Sequence, residues 1–484
     1  MGSIWERDAL QSDFPALQED KQCDVAVIGA GMAGLLAAFY LQQAGLKVIV
    51  LEADEVARGQ TAGTTAKITA QHGKCYASME KTLGPRAAAT YAQANLWAIS
   101  QYQTLIEQRH IDCSFSRRTA YLYTRGTDLK PLERELAAAR RAGINAQVAH
   151  PQELPLAIGG ALAFPNQAQF HPLRFLQALS ATLEIYEHSP VTVEGTHVLR
   201  TPGGRVRVGQ VIFACHFPFV NYPGLFFARM HVQRSYVLAL SGVPALQGMY
   251  LDEQEDGLSL RSAGDYLLLG GCGHRTGEMG PANGYAPLRA AAKALYPEAH
   301  EVAAWAAQDG IPADGLPYIG RYSPRKSDWF VACGFKKWGM STSMVAAFIL
   351  SDLILERENP WAWLFDPHRL HLRAGAKNLV KDGGKSARYL FSGAFPRASC
   401  TPKQVQPGAA GIVRARGGHY GLYRDEAGRA HYVSIRCPHL GCHLQWNGQD
   451  KSWDCPCHGS RFDIDGKLLN NPAQQGLLAW QEDS

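Results

Sequence analysis

Two short cysteine–histidine loops near the C-terminus constrain this chain more than any other feature. They read Cys437-Pro438-His439-Leu440-Gly441-Cys442 and Cys455-Pro456-Cys457-His458-Gly459-Ser460. A fold that keeps both must bring two turns together around something that accepts sulfur and nitrogen. Thiolates of Cys437 and Cys455 with imidazoles of His439 and His458 suit a [2Fe–2S] cluster, one iron held by sulfur and the other by nitrogen. Neutral imidazole brings no negative charge to its iron, so such a cluster is easier to reduce than an all-cysteine one. Cys442 and Cys457 remain, one in each loop, and a disulfide between them is one way to clip the loops together. The competing reading is a structural Cys₂His₂ zinc site. Zinc sites usually space their pairs more widely and have no use for the extra cysteines.

These residues resemble the ligand pattern of Rieske proteins. The resemblance assigns Cys437, His439, Cys455 and His458 as cluster ligands and Cys442–Cys457 as the disulfide of the high-potential type. It places Ser460 as a hydrogen-bond donor to a cluster sulfide. Phe462 departs from the tyrosine of respiratory members, which implies one donor fewer and a lower potential. Asn471-Pro472-Ala473 resembles the proline loop that covers the cluster. The similarity runs from about Pro402 to the C-terminus, and it implies that His439 and His458 lie at an exposed iron where electrons cross.

A second signal opens the chain. Asp24-Val25-Ala26-Val27-Ile28 reads as a buried parallel strand. Gly29-Ala30-Gly31-Met32-Ala33-Gly34 follows and turns into a helix ending at Gly45, and Lys47 to Leu51 is a second strand closed by Glu52. Gly29 permits the tight turn, Gly31 lets the backbone reach a pyrophosphate, and Gly34 allows close helix–strand packing. The helix N-terminus, with Met32 and Ala33, favours phosphate charge. Glu52 can accept hydrogen bonds from ribose hydroxyls.

The fingerprint does not by itself separate FAD from NAD. The stretch Gly59 to Thr69 contains Thr61, Thr64, Thr65 and Ala66, small residues suited to wrapping a pyrophosphate and a flavin edge. Later, Asp314-Gly315-Leu316-Pro317-Tyr318-Ile319-Gly320 precedes a strand at Trp329 to Cys333, and Gly334 to Met340 opens another helix. Together these resemble the D-amino-acid-oxidase-like family of FAD-dependent oxidoreductases over about Lys21 to Glu356. More closely, the chain resembles bacterial fusions of such a flavoprotein with a C-terminal Rieske domain, including the opening Ser3-Ile4-Trp5. The resemblance places Gly339, Met340 and Ser341 at the flavin pyrimidine, where helix amides meet negative charge. It gives Val191 backbone bonds to adenine and makes Val211 to Cys215 the strand closing the FAD domain.

Catalytic candidates are Lys67, His72 and Lys337, with Lys336 beside it; each also reads as a solvated lysine or a hydrogen-bonded structural histidine. Arg234, Arg261 and Arg275 are candidates for a substrate carboxylate, because the guanidinium fork matches that group. Relatives that bind amino acids often show an arginine before the residue matching Asp314. Here that stretch reads Ala307-Gln308-Asp309-Gly310, which points away from an ordinary amino acid.

The expected architecture is an α/β, Rossmann-like FAD-binding domain interleaved with an α+β substrate domain on an antiparallel sheet, followed by a small all-β Rieske domain. The ranges are 1–375 for the flavoprotein region, with FAD-binding parts at about 20–75, 165–225 and 305–360 and substrate parts at about 76–164 and 226–304. A connector spans 376–400 and the Rieske domain 401–484. The net charge of +5 over 484 residues, without a dense basic run, speaks against a nucleic-acid partner. No apolar run approaches the roughly 20 residues of a membrane span, and Met1 to Asp20 has no apolar signal core. The single cysteines Cys23, Cys75, Cys113, Cys215, Cys272, Cys333 and Cys400 read as free thiols in a reducing compartment. A cytoplasmic location follows.

Flavin takes two electrons from a substrate and a [2Fe–2S] cluster passes one at a time. The expected function is therefore a dehydrogenase of a small amine or amino-acid-like compound, relaying electrons to or from a one-electron partner such as a ferredoxin-like protein. Three alternatives compete. A Rieske oxygenase needs a two-histidine, one-carboxylate iron site, but Asp366-Pro367-His368-Arg369-Leu370-His371 is cramped and reads as a surface terminus. An NAD(P)H-dependent reductase needs a second nucleotide fingerprint, and none follows Gly34. A redox-sensing protein would hold both cofactors without turnover.

Overall fold

In the computed structural model the described residues are 2–8, 12–255, 257–280, 282–369, scattered positions between 375 and 389, and 398–482. The run Val25 to Ile28 is buried on both faces, as a central parallel strand requires. Strand Lys21–Ile28 lies between Val48–Leu51 and Gly204–Phe213, parallel to both. Outward from these, Glu184–Tyr186 pairs with Val48–Leu51 and Lys326–Cys333 with Gly204–Phe213, again parallel. Strand Tyr318–Ser323 closes that edge antiparallel. Helices Met32–Gln43 and Gly339–Ile354 pack together on this sheet, and Pro85–Gln108 packs on the latter.

The second sheet has nine strands, ordered from His300–Pro312 through Met230–Ser241, Tyr266–Arg275, Ser259–Ala263, Met249–Asp252, Ser116–Thr124 and Gly160–Gln169 to Lys67–Ile68, with Gln147–Ala149 beside Gly160–Gln169. It is antiparallel except where Met249–Asp252 runs parallel to Ser116–Thr124. The strands His300–Pro312 and Gly160–Gln169 cross the expected divisions at 305 and 165. The first of them is alanine-rich, with little intrinsic β preference, and it is a strand because it pairs along its whole length with Met230–Ser241.

The C-terminal part is two small antiparallel sheets. One is Ala410–Ala415, Gly418–Arg424, Ala430–Ser434 and Ala479–Glu482; the other is Gln445–Asn447, Ser452–Asp454, Arg461–Phe462 and Leu468–Asn470. The expected connector lies mostly outside the described residues. In the stretch at Asp366, expected as a surface terminus, the side chains of Asp366 and His368 are 49% and 31% exposed, whereas Arg369 is 3% exposed and places its guanidinium on Asp314 with bonds of 2.7 and 3.0 Å; Leu370 and His371 lie outside the described residues. No helix among the described residues is long and apolar enough to cross a membrane.

Candidate functional site

The glycine-rich turn opens a cavity of about 820 Å³. Gly34 stands where a Cβ would lie 1.9 Å from the carbonyl oxygen of Gly29, so helix and strand approach too closely for any side chain. Gly31 caps the helix without a side-chain bond, and Thr61 Oγ1 accepts from Met32 N–H at 3.1 Å. Glu52 accepts from the N–H groups of Ala30 and Asp54 at 2.7 and 3.0 Å; burial nonetheless pushes its carboxyl upward. Gly29, Gly31, Met32, Ala33, Glu52, Thr61, Thr64, Thr65, Val191, Gly339 and Met340 all line the cavity. Gly34 and Ala66 stand behind that wall, and Ser341 turns away to meet His72 Nε2 at 3.3 Å. Trp5 fastens the N-terminal segment to this loop by donating to Thr64 O at 2.8 Å. Two helix N-termini without side-chain caps thus open on one cavity, a donor set that fits a dinucleotide pyrophosphate and an electron-rich ring edge.

The catalytic candidates separate. Lys67 lines the cavity, with its ammonium donating to Tyr250 O at 2.8 Å and Ser259 Oγ at 2.7 Å. Burial, with the Arg261 charge added, pulls it down to about 7. Lys337 also lines the cavity, on a left-handed backbone, φ 70°. Asp309 lines it too; burial lifts its carboxyl to about 6 against the pull of the Lys337 ammonium and N–H. His72 is not on the cavity surface. Its ring nitrogens contact Tyr91 OH and Thr69 O, each at 2.7 Å, and the ring stacks on Trp338 at 4.5 Å, so it supports the loop before the last helix. Of the three arginines, Arg261 lies over Trp5 and Arg275 beside Pro456 O, and Arg234 is committed to Asp450.

The cluster loops are two matching turns. Gly441 N–H donates to Cys437 O at 2.9 Å and Gly459 N–H to Cys455 O at 3.0 Å. Cys442 and Cys457 are joined by a disulfide. That leaves the thiols of Cys437 and Cys455, which meet each other, and the imidazoles of His439 and His458, which meet each other. Cys455 donates to Cys437, which holds the former well up and the latter down at about 7. Burial lowers His439 to about 4 and His458 to about 3, so both rings are neutral. Their Nδ1 atoms are buried without a hydrogen-bond partner, and the ring centroids are 4.9 Å apart. Orphaned nitrogens beside paired sulfurs fit a cluster with two sulfur and two nitrogen ligands. Ser460 Oγ accepts from Ala473 N–H at 3.0 Å and donates toward Cys437. Phe462 is fully buried.

The two sites adjoin. Arg461, Asn470, Asn471 and Ala473 from the C-terminal domain line the same cavity as the glycine-rich turn. Asn471 Nδ2 donates to Cys215 O at 2.8 Å and Phe217 O at 2.7 Å. Gln308 Nε2 donates to Gly459 O at 2.8 Å, between two residues that line the cavity. Gly459, at φ +81°, lies so close to Val232 that a Cβ would come within 2.7 Å. A buried ion network seals the seam. Arg234 Nη2 meets Asp450 Oδ2 at 2.7 Å, Arg461 Nε meets Asp454 Oδ1 at 2.9 Å, and Asn447 bridges both aspartates. The histidine end is less open than expected at one ligand position: His458 is 6% exposed, whereas His439 is half-buried, with its Nε2 2.8 Å from Asn221 Oδ1.

Comparison with known proteins decides the family. Residues 24–353 match the family model described as FAD dependent oxidoreductase, and 396–481 match that of the Rieske [2Fe-2S] domain. The chain belongs to the FAD-dependent oxidoreductase family. It is 36% identical to YhfW of Bacillus subtilis, described as a Rieske 2Fe-2S iron-sulfur protein, over 98% of this chain and 96% of that one. Its fold resembles glycine oxidase from Geobacillus kaustophilus (TM-score 0.61, 21% identity, 72% of this chain and 99% of that one). It also resembles L-proline dehydrogenase from P. horikoshii (TM-score 0.61, 17% identity, 73% and 98%). The oxidoreductase is thus an FAD enzyme with a Rieske domain that binds a [2Fe–2S] cluster.

Asn221, Gln308 and Asp450 had no motif to mark them. Each acts through a partner far away in sequence, and only Arg234 had a chemical signal, as an arginine in the substrate sheet.

Proposed function

We propose that this FAD-dependent oxidoreductase is a dehydrogenase of a small amine or amino-acid-like substrate, and that its electrons leave through the Rieske cluster to an external one-electron acceptor. The observation that supports this most is the docking of the C-terminal domain at the FAD cavity: Asn471 and Ala473 line it, while Gln308 and Asn221 hold the histidine loops at Gly459 and His439. When bound, FAD supplies two-electron oxidation and the cluster one-electron transfer. The protein's part is to hold the two groups at a fixed separation, which the buried Arg234–Asp450 pair serves.

Within the cavity, Lys67 is the residue we assign to proton handling, since burial brings it near neutrality where a general base works best. Asp309 and Lys337 form a second pair on the cavity lining, and the carboxylate suits a cationic amine better than an amino-acid carboxylate. His72 is assigned a positioning role through Trp338 and Ser341. The buried single thiols Cys23, Cys113 and Cys333 agree with a cytoplasmic setting.

The test is anaerobic screening of amines and amino-acid derivatives, following flavin bleaching and the spin signal of the reduced cluster together. A compound that bleaches the flavin and raises the cluster signal in the same mixture supports the relay. Bleaching that never reaches the cluster overturns it.

A further inference from the structure

The flavoprotein domain covers His458 and leaves His439 half-buried, so an outside electron carrier must approach from the side of the first loop. The ligand shell is deeply enclosed on most sides: Cys437, Cys455, Ser460 and Phe462 are all at most 2% exposed. The thinnest cover is at the tip of the first loop, where Leu440 follows His439 directly and is 40% exposed.

Leu440 is not alone there. Asn221, which holds His439, is followed by Tyr222, 64% exposed, and one turn on by Leu225, 45% exposed, whose N–H donates to Asn221 O at 2.9 Å. Exposed apolar residues scattered singly mean little, but three gathered at one rim mark an interaction surface. The rim is firm, because its base at Cys215 and Phe217 is bonded to Asn471 while Asn221 is bonded to His439.

The charge around these residues has one sign. The exposed guanidinium of Arg325 donates to Tyr222 OH, and exposed Arg436 precedes the first ligand. Segments 215–235, 318–327 and 435–446, which build the rim, contain no aspartate or glutamate. The nearest acids in sequence to the last two segments are Asp314, Asp328 and Asp450, and each already meets a basic side chain: Arg369, His197 and Arg234.

The geometry points to the rim of Leu440, Tyr222 and Leu225, with Arg325 and Arg436, as the docking surface for an acidic one-electron carrier protein. This rests on the reading that electrons leave through the cluster. Apolar contact at the centre with basic residues around it steers an acidic partner and brings its redox group to the tip of the ligand loop. One electron leaves the reduced cluster and one enters the carrier, with no bond made or broken.

The experiment measures binding rather than turnover. Full-length holoprotein, fully oxidised, is titrated calorimetrically with a strongly acidic [2Fe–2S] ferredoxin, and in parallel with a basic cytochrome c. The acidic probe is expected to bind, its affinity falling as salt rises. Arg325→Glu and Arg436→Glu should each weaken it about three- to tenfold, and Leu440→Glu should do the same without changing the visible spectrum of the cluster. Equal binding by all variants, tighter binding of the basic probe, or sedimentation showing that these substitutions break a dimer of this chain would each overturn the proposal. The two readings fail separately. Binding without substrate reduction of the cluster sinks the relay, whereas substrate reduction of the cluster without carrier binding sinks the docking surface.

Discussion

His439 Nε2 lies 2.8 Å from the side-chain oxygen of Asn221, so an imidazole of the iron–sulfur loops is held by an amide of the flavoprotein domain. The amide oxygen can only accept, which makes Nε2 the protonated nitrogen and leaves Nδ1 with its lone pair. One contact therefore sets the tautomer of a candidate ligand and ties the two domains together.

Replacing Asn221 with Ala removes that acceptor. Iron content should stay at the wild-type level, while the reduced-cluster spin spectrum shifts and substrate-driven cluster reduction slows about tenfold. Stopped-flow absorbance with rapid-freeze spin spectra reads both. An unchanged rate would mean that the contact only accompanies docking.

Arg234 and Asp450 bury opposite charges at the seam, with side chains 4% and 12% exposed. Among the described residues, Arg234→Met leaves Asp450 with only the 3.4 Å contact to Arg461 as a charge partner. The expected loss is about 3 kcal/mol, seen as earlier thermal loss of the cluster's visible circular dichroism. A paired Arg234→Met, Asp450→Leu variant should recover most of it.

Lys67 supplies a pH signature. Its folded pKa, about 7, lies below that of an exposed lysine, so the unfolded chain binds more protons between these values and stability rises with pH across that window. The burial penalty is greatest below pH 7. Lys67→Met should thus raise the melting temperature most at pH 6, by an amount that shrinks toward pH 10. The same variant should lose the acidic limb of the rate profile for flavin bleaching. A limb that persists assigns the base elsewhere.

Cys455→Ser should abolish the cluster spin signal while FAD content and substrate bleaching remain. Gly34→Ala behaves oppositely: a Cβ 1.9 Å from Gly29 O cannot be accommodated, so FAD content should fall while cluster loading in any folded fraction persists. Elemental iron and flavin absorbance separate the two outcomes.

Where the chemistry depends on neighbours in sequence, it was legible. The turn from Gly29 to Gly34 lies between a strand and a helix at the expected places, and the helix opened by Gly339 begins where its glycines end. The paired loops at Cys437 and Cys455 close on themselves through bonds spanning four residues. The alanine-rich strand His300–Pro312 was not legible, because its conformation is imposed by pairing with Met230–Ser241 rather than by its own propensity.

The sequence by itself determined which cofactors this protein can hold, since each cradle is built by local turns whose geometry follows from residue type and spacing. Only the tertiary structure decided how the two sites face one another. Asn221 with His439, Gln308 with Gly459 and Arg234 with Asp450 are separated by more than a hundred residues each. No local pattern encodes such meetings, because they arise when domains pack and buried polar groups find partners. That packing buries His458, ties His439 to Asn221 and leaves Leu440 at the surface.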